Sequence, residues 1–390
     1  MRIALLGGDG YLGWPTAMDL ASKGHDVWVI DNYLRRTLAI QTGSEPLICA
    51  PNLQLRAQRF REETGSEIRV HVGDCASFEE MERLFRESQP EAVIHYAEQP
   101  SAPYSMIGRS QARLTLQNNL SVTFNTIWAV LEFAPECHII KLGTMGEYGT
   151  PNIDIEEGWI EISHKGRSDK FLYPRAAGSL YHTTKVLDTD LLWFYARTYG
   201  IRVTDLMQGP VYGLATPQSL MHDDLLPNFH YDDIFGTVLN RFLTQAVAGI
   251  PLTIYGEGGQ TRGYLNLLDT LQCINLALGS PVQRGELRIL NQFTETFAVT
   301  ELAERVQRAA ATMGLSVGVQ HVPNPRKEKE RHYYQPVHTG FANLGLRPHL
   351  LSDEALSEML EIVSRYRKDI DLAKMLPRVR WSSTETHALA

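Results

Sequence analysis

The stretch that most constrains this chain is its first 33 residues, MRIALLGGDGYLGWPTAMDLASKGHDVWVIDNY. Ile3 to Leu6 is an apolar run too short for a helix and of the right length for a buried strand. Gly7, Gly10 and Gly13 follow at a spacing that lets the strand turn sharply, lets backbone approach a pyrophosphate, and lets the next helix pack closely. Tyr11 and Leu12 sit inside that turn. Helical spacing resumes at Ala17, Leu20 and Ala21 and ends at Gly24. A second strand, Asp26 to Ile30, closes on Asp31, where a carboxylate reaches the ribose hydroxyls of a dinucleotide. Strand, glycine turn, helix, strand and terminal acid in this order predict a dinucleotide-binding βαβ unit. Asp31 would repel a 2′-phosphate and so favours NAD over NADP, with Asn32 beside it. Arg35 and Arg36 are either a solvated basic edge or a phosphate clamp.

The rest of the chain shows what such a unit can belong to. At 390 residues it can bury a large core, and 43% hydrophobic with 21% charged residues is ordinary for a globular enzyme. No apolar run reaches the length of a membrane span. The net charge of −8 opposes general affinity for nucleic acid. Cys49, Cys75, Cys137 and Cys273 are scattered without a C-x-x-C pair, which suits a reduced cytoplasm. The first strand is expected to begin at residue 2, which leaves no room for a signal or transit peptide unless the sequence is that of a processed form. The 13 histidines show no H-E-x-x-H or similar spacing, so no catalytic metal is expected.

The first half alternates strand and helix patterns, as a parallel sheet with crossover helices requires. Ile68 to Val72 leads to Gly73 and Asp74, Ala92 to His95 leads to YAEQPSAPYSM, His138 to Leu142 leads to Gly143 and Thr144, and Val203 to Leu206 leads to MQGPVYG. Ligands lie beyond the carboxyl ends of such strands, so these loops are expected to line one composite site. Beyond about residue 210, Pro and Gly punctuate the chain, as in AGIPLTIYGEGGQTRGY. The expected fold is therefore α/β, a Rossmann-type doubly wound parallel sheet with a smaller C-terminal nucleotide-sugar-binding domain. The first domain spans 1–210 with returning segments near 232–250 and 267–293. The second takes 211–231, 251–266 and 294–390.

In SLYHTTKVLDTDLLWFYARTYG, apolar residues at 187, 191, 194 and 195 define a helical face, and Tyr181 and Lys185 stand four apart on one side. Thr144 ends a strand on the same side of the sheet as the glycine turn. Thr144, Tyr181 and Lys185 resemble the Ser/Thr, Tyr, Lys set of the short-chain dehydrogenase/reductase superfamily, whose extended branch the glycine turn matches. Sugar oxidation by hydride loss needs a base, and a free tyrosine of pKa near 10 is only about one part in a thousand ionised at pH 7. Lowering that pKa to about 7 takes roughly 4 kcal/mol of preferential anion stabilisation. Lys185 and a positive nicotinamide ring in a dry pocket are expected to supply it, with Thr144 donating to the developing oxyanion.

At HIIKLGTMGEYGTPNIDIEEG the likeness becomes more specific. Together with GGDGYLGW, AEQPSAPYSMI, DLMQGPVYG, YDDIFGTVLNRF, YGEGGQTRGYL, NQFTETF, PNPR and PHLLSD, this stretch resembles the UDP-sulfoquinovose synthase family, from Met1 to about Trp381. The resemblance implies NAD as cofactor, UDP-glucose and sulfite as substrates, and a homodimer. It implies that Tyr181 takes the 4-hydroxyl proton and that a base then removes the C5 hydrogen while the 6-hydroxyl leaves. Sulfite adds at C6, and the hydride returns to C4. Related sugar 4,6-dehydratases place Asp and Glu where Met145 and Gly146 stand here, which leaves Glu147 and His182 as the nearest ionisable candidates.

The remaining candidates divide by ligand. Asp74 is assigned to adenine, Tyr96 and Ala97 to the cofactor wall, and Asn119 to the helix behind it. Gln260, Arg262 and Arg326 are assigned to uracil and diphosphate, for which arginine's fork suits the oxygens. Met145, Gln208, Thr261 and Asn291 complete the substrate set. Two positions depart from the family pattern. Pro100 and Leu268 stand where its members usually carry arginine, leaving Gln99 and Ser101 to cradle sulfite. The same residues also fit an NAD-dependent nucleotide-sugar epimerase or dehydratase without sulfite, or a nucleotide-sensing protein on the same fold.

Overall fold

The computed structural model describes residues 1–326 and 331–381. Strands β1 (Arg2–Leu6), β2 (Asp26–Asp31), β3 (Ile68–Val72), β4 (Ala92–His95) and β5 (His138–Thr144) form one parallel sheet with the strands Arg202–Gln208 and Leu287–Gln292. Across the sheet the order is Leu287–Gln292, Arg202–Gln208, β5, β4, β1, β2, β3. The chain winds outward from β1 in both directions, so Ile3 pairs with Val27 on one side and Ala92 on the other. The reversal between β1 and β4 opens a crevice at their carboxyl ends, the place where such sheets receive ligands.

Alternation along β1 explains why the sheet is buried on both faces. Ile3 and Leu5 enter a core with Trp14, Val27 and Ile94, while Ala4 and Leu6 enter another with Phe85, Val93 and Val130. A third core, around Phe229, Phe242, Leu302 and Leu360, lies in the later part of the chain. There a three-stranded sheet joins Val211–Tyr212, Thr261–Asn266 and Glu295–Ala298, and Leu252–Tyr255 pairs with Val319–Val322. One element has no counterpart among the expected strands, the antiparallel hairpin of Trp159–His164 and Arg167–Leu172. Its turn places Lys165 at φ 49° and Gly166 at φ 76°, the positive pair that a two-residue hairpin loop uses.

The turn after β1 is sterically committed to glycine. Gly7 has φ 87°, and a Cβ there would lie 2.8 Å from the backbone N of Ala97. A Cβ at Gly13 would lie 2.0 Å from the Gly7 carbonyl oxygen. Helix α1 (Gly13–Ser22) therefore starts almost on top of β1, and no side chain caps its first turn. Trp14 and Thr16 N–H donate back to the Gly10 and Leu12 carbonyls and Pro15 has no N–H, so it is chiefly the positive dipole end of α1 that points into the crevice.

Candidate active site

A single cavity of about 860 Å3 runs from the glycine turn to the later part of the chain. Its cofactor-side wall contains Gly7, Gly10, Tyr11, Leu12, Gly13, Asp31, Asn32, Arg35, Arg36, Asp74, Tyr96 and Ala97. Thr144, Tyr181 and His182 line its middle, and Ser101, Met145, Gln208, Gln260, Arg262 and Arg326 line the remainder. Six other candidates stand off the wall: Glu147, Lys185, Asn119, Gln99, Thr261 and Asn291.

The cavity suits a dinucleotide at its glycine end. At Gly10 a Cβ would meet nothing closer than the Gly7 carbonyl oxygen at 3.5 Å, so glycine there leaves a cradle for a ligand rather than relieving a protein contact. Asp31 accepts backbone N–H groups from Asp9 at 2.9 Å and Tyr33 at 2.7 Å. Burial, and next the Asp9 charge, raise its carboxyl to about 6. Arg36 forks onto Asp9 with two bonds of 2.6 Å and donates to the carbonyls of Ala50 and Pro51 at 2.7 Å. Four of its five N–H donors are thereby taken up by the protein. Arg56, fully buried, adds a third contact to Asp9 at 3.3 Å. Asp9 is thus an organising residue that spacing analysis passed over, although it lies within the glycine motif.

At the centre, the helix Leu180–Tyr199 begins with Ser179, whose hydroxyl accepts the His182 N–H at 3.2 Å. Tyr181 and Lys185 follow on its first turns. Lys185 Nζ lies 5.9 Å from the centre of the Tyr181 ring. It donates to the Leu142 carbonyl at 2.5 Å and meets Glu98 Oε2 at 2.7 Å. Lys185 therefore sits behind Tyr181 rather than on the cavity wall. The expected lowering of the Tyr181 pKa by Lys185 is not what the protein's own groups produce. Burial, and after it the Glu98 charge, push the phenol well above its ordinary value, against a weaker opposing effect of Lys141.

Glu147 also differs from expectation. Its carboxylate is fully buried and turns back to accept the Thr144 N–H at 3.3 Å, closing a capping box at the end of β5. Lys141 Nζ at 3.8 Å, Arg175 Nε at 3.7 Å and the Thr189 hydroxyl at 3.3 Å occupy its remaining sides. It positions Thr144 and does not reach the cavity. His182 does reach it. Its Nδ1 is 3.1 Å from Ser179 Oγ, and a Cβ at position 146 would lie 2.4 Å from its Nε2. The imidazole thus fills the space that a side chain at Gly146 would need. Burial first, then the Arg326 and Arg262 charges, lower its pKa to about 4, so the ring is neutral at physiological pH.

The other four residues off the wall are structural braces. Asn119 accepts the Gln99 N–H at 2.9 Å and donates to the Gln99 carbonyl and Thr184. The Gln99 amide is spent on Thr115 and the Ser101 carbonyl, so it does not cradle an anion. Ser101 touches the cavity, but its hydroxyl donates to the Ile234 carbonyl at 2.5 Å and accepts the Tyr104 N–H. Asn291 bonds Tyr148 and the Val337 carbonyl beyond the cavity, and the Thr261 carbonyl accepts from Arg262. Arg241, unassigned from the sequence, lines the substrate end. It is held over the Tyr255 ring at 4.2 Å and donates to the Thr253 carbonyl at 3.0 Å.

Comparison with known proteins matches this architecture. The model of the NAD dependent epimerase/dehydratase family matches residues 3–291. The solved UDP-glucose 4-epimerase of Bifidobacterium longum, in complex with NAD+ and UDP, superposes with a TM-score of 0.71. That alignment is 18% identical over 95% of this chain and 99% of the other. Chloroplastic UDP-sulfoquinovose synthase of Spinacia oleracea is 50% identical over 97% of this chain and 79% of its own length. UDP-sulfoquinovose synthase of Sulfolobus acidocaldarius is 42% identical, covering 98% of both chains. The chain belongs to the UDP-sulfoquinovose synthase family. As a member of that family it carries Pro100 on the cavity wall at a point where neither Gln99 nor Ser101 has a side-chain donor to spare. Among the described residues, no cluster of three or more His, Cys, Asp or Glu side chains could hold a metal ion.

Proposed function

We propose that this protein makes UDP-sulfoquinovose from UDP-glucose and sulfite with NAD as its resident cofactor. The observation that carries the reading is the convergence of Thr144, Tyr181 and a neutral His182 on one cavity floored by the glycine turn. NAD, when bound, supplies the hydride acceptor at the start and the hydride donor at the end. Asp31 would hold its adenosine ribose, and the α1 terminus its pyrophosphate. Because Arg36 is spent on Asp9, the cavity favours NAD over NADP.

Tyr181 takes the 4-hydroxyl proton, and Thr144 donates to the oxygen that becomes the C4 carbonyl. The ketone acidifies C5–H. His182 Nε2 removes that proton and returns it to the 6-hydroxyl, which leaves as water. Sulfite then forms the C–S bond at C6, C5 regains a proton, and Tyr181 gives its proton back when C4 is reduced. Arg241, Arg262 and Arg326 hold the diphosphate end. The domain division at 1–210 and beyond follows the same split between cofactor and nucleotide-sugar ends.

The test is the mass of the product. UDP-glucose and millimolar sulfite are expected to yield a sulfonated UDP-sugar, and formation of only 4-epimer or 4-keto product would hand the function to the epimerase or dehydratase reading. A buried dianion needs compensating charge. The wild type is therefore expected to show weak apparent sulfite affinity. Pro100 is exposed at the cavity wall, so Pro100→Arg should improve it by no more than about 5-fold, the range for one solvent-exposed ion pair of up to about 1 kcal/mol.

A homodimer is part of the proposal. Phe124 on the helix Arg109–Phe133 and Phe194 on Leu180–Tyr199 are exposed and pack around Trp128 and Tyr195, an apolar helix pair that a second copy would cover. The double variant Phe124→Asp, Phe194→Asp is expected to elute at monomer mass in size-exclusion chromatography while the wild type elutes as a dimer. No helix among the described residues is long and apolar enough to cross a membrane. The four free cysteines suit a reducing compartment such as the cytoplasm.

A further inference from the structure

The geometry points to Trp381 as a positioning residue that holds the Arg326 guanidinium at the substrate end of the cavity while leaving its N–H groups free for a diphosphate. The inference deepens the proposed function and rests on Arg326 being a diphosphate ligand. Trp381 and Arg326 both line the cavity. The Trp381 N–H donates to the Pro325 carbonyl at 2.9 Å, which sets the ring beside the next residue, and Arg326 Cζ lies over that ring, 5.2 Å from its centre. The Arg326 N–H donates to Asn324 Oδ1 at 3.0 Å. Backbone and ring together thus fix where the guanidinium stands. Among the described residues, no hydrogen bond or ion pair takes that guanidinium. Its neighbours at this end differ, since Arg241 donates to the Thr253 carbonyl and Arg262 to the Thr261 carbonyl. A ring face attracts a cation through its quadrupole and uses none of the N–H donors, so Arg326 keeps its fork for phosphate oxygens.

The segment that brings Trp381 to this place is itself tied down. It leaves the helix Asp353–Arg365, and its Asp371 N–H donates to the Tyr231 hydroxyl at 2.9 Å. Lys374 then meets Glu45 at 3.0 Å. Arg378 donates to the Thr42 carbonyl and the Ser44 hydroxyl, each at 2.8 Å, and to the Asp233 carboxylate at 3.0 Å. Val379 packs on the small core of Leu38, Tyr104 and Phe235. The chain therefore runs from the third core to the end of the helix Leu34–Thr42, beside the cofactor end, and back to the nucleotide end. These contacts order Trp381 without a ligand, and the ring in turn orders Arg326. Without the ring the long arginine side chain would have only its backbone turn to direct it, and the diphosphate would have to immobilise it on binding.

The experiment measures UDP binding to the full-length, NAD-loaded protein by titration calorimetry. Trp381→Ala should weaken UDP by about 3- to 30-fold, the range for one cation–π contact. Trp381→Phe, which keeps a ring face, should recover most of that loss, whereas Trp381→Leu, which keeps apolar bulk alone, should not. In an Arg326→Ala background the Trp381→Ala change should have less than about a twofold further effect, because the residue it positions is gone. In sulfite-free mixtures the half-saturating UDP-glucose for cofactor reduction should rise by the same factor as the UDP dissociation constant, with the plateau rate within about twofold of wild type. NAD+ affinity should not change; a purely structural role would disturb it too, since Arg378 ties the same segment to the helix Leu34–Thr42. A loss below about threefold in Trp381→Ala overturns the inference, as does an undiminished loss in the Arg326→Ala background. UDP binding in Trp381→Leu as tight as in Trp381→Phe also overturns it, and decides the matter even if Trp381→Ala fails to fold. Wild-type UDP affinity in Arg326→Ala would remove the diphosphate assignment and the Trp381 role with it. Absence of sulfonated product would sink the proposed synthase reaction and leave these UDP affinities as they are.

Discussion

Tyr181→Phe should lower turnover by about 10³-fold, within the range for removing a positioned proton-transfer group. The loss should fall on kcat, with UDP-glucose binding changed little, because the phenol hydroxyl acts on the 4-hydroxyl proton mainly in the transition state. The structure makes the substitution a clean one. Tyr181 is fixed through its backbone, whose N–H donates to Ser105 at 3.1 Å, and through its ring above Lys185, and the phenylalanine keeps both. Stopped-flow absorbance on mixing enzyme with UDP-glucose should show no reduced cofactor in the variant. Near wild-type reduction would mean that another group takes the proton.

His182→Ala should separate the two halves of the reaction. Reduced cofactor should still form, since Thr144 and Tyr181 remain, yet exchange of the C5 hydrogen with deuterated water should stop and sulfonated product should fall by about 10²- to 10⁴-fold. The geometry isolates the effect. His182 is the imidazole that fills the space above Gly146, whereas Glu147 is turned away to hold Thr144. Its low pKa, about 4, also bears on pH: the ring stays an available base down to mildly acidic conditions. Stability linked to it is lost as pH falls from about 6.5 towards 4, because the unfolded chain binds the proton first. Glu147→Gln is expected to leave C5 exchange running, and normal exchange in His182→Ala would remove histidine from the mechanism.

What could be read in the sequence was local. The run Ile3 to Leu6, the glycine spacing and Asp31 specify β1, its turn, α1 and β2 within some 30 residues, because strand period, steric need for glycine and helix spacing act over a few neighbours. The i, i+4 spacing of Tyr181 and Lys185 is likewise a property of one helix. The hairpin at 159–172 carried a readable signal in Lys165-Gly166, but its strands are exposed and lack the apolar run that marked the others. Tertiary structure decided the rest. Glu98 meets a lysine 87 positions later, Asp9 takes the fork of Arg36, and the Ser101 hydroxyl is consumed by a carbonyl at Ile234. Glu147 and Asn291 sit at strand ends or on strands whose side chains alternate faces, and only packing chose the face away from the cavity. Charge, burial and hydrogen-bond supply depend on partners far along the chain, so residue type alone named the chemistry while the fold settled which groups are free to perform it.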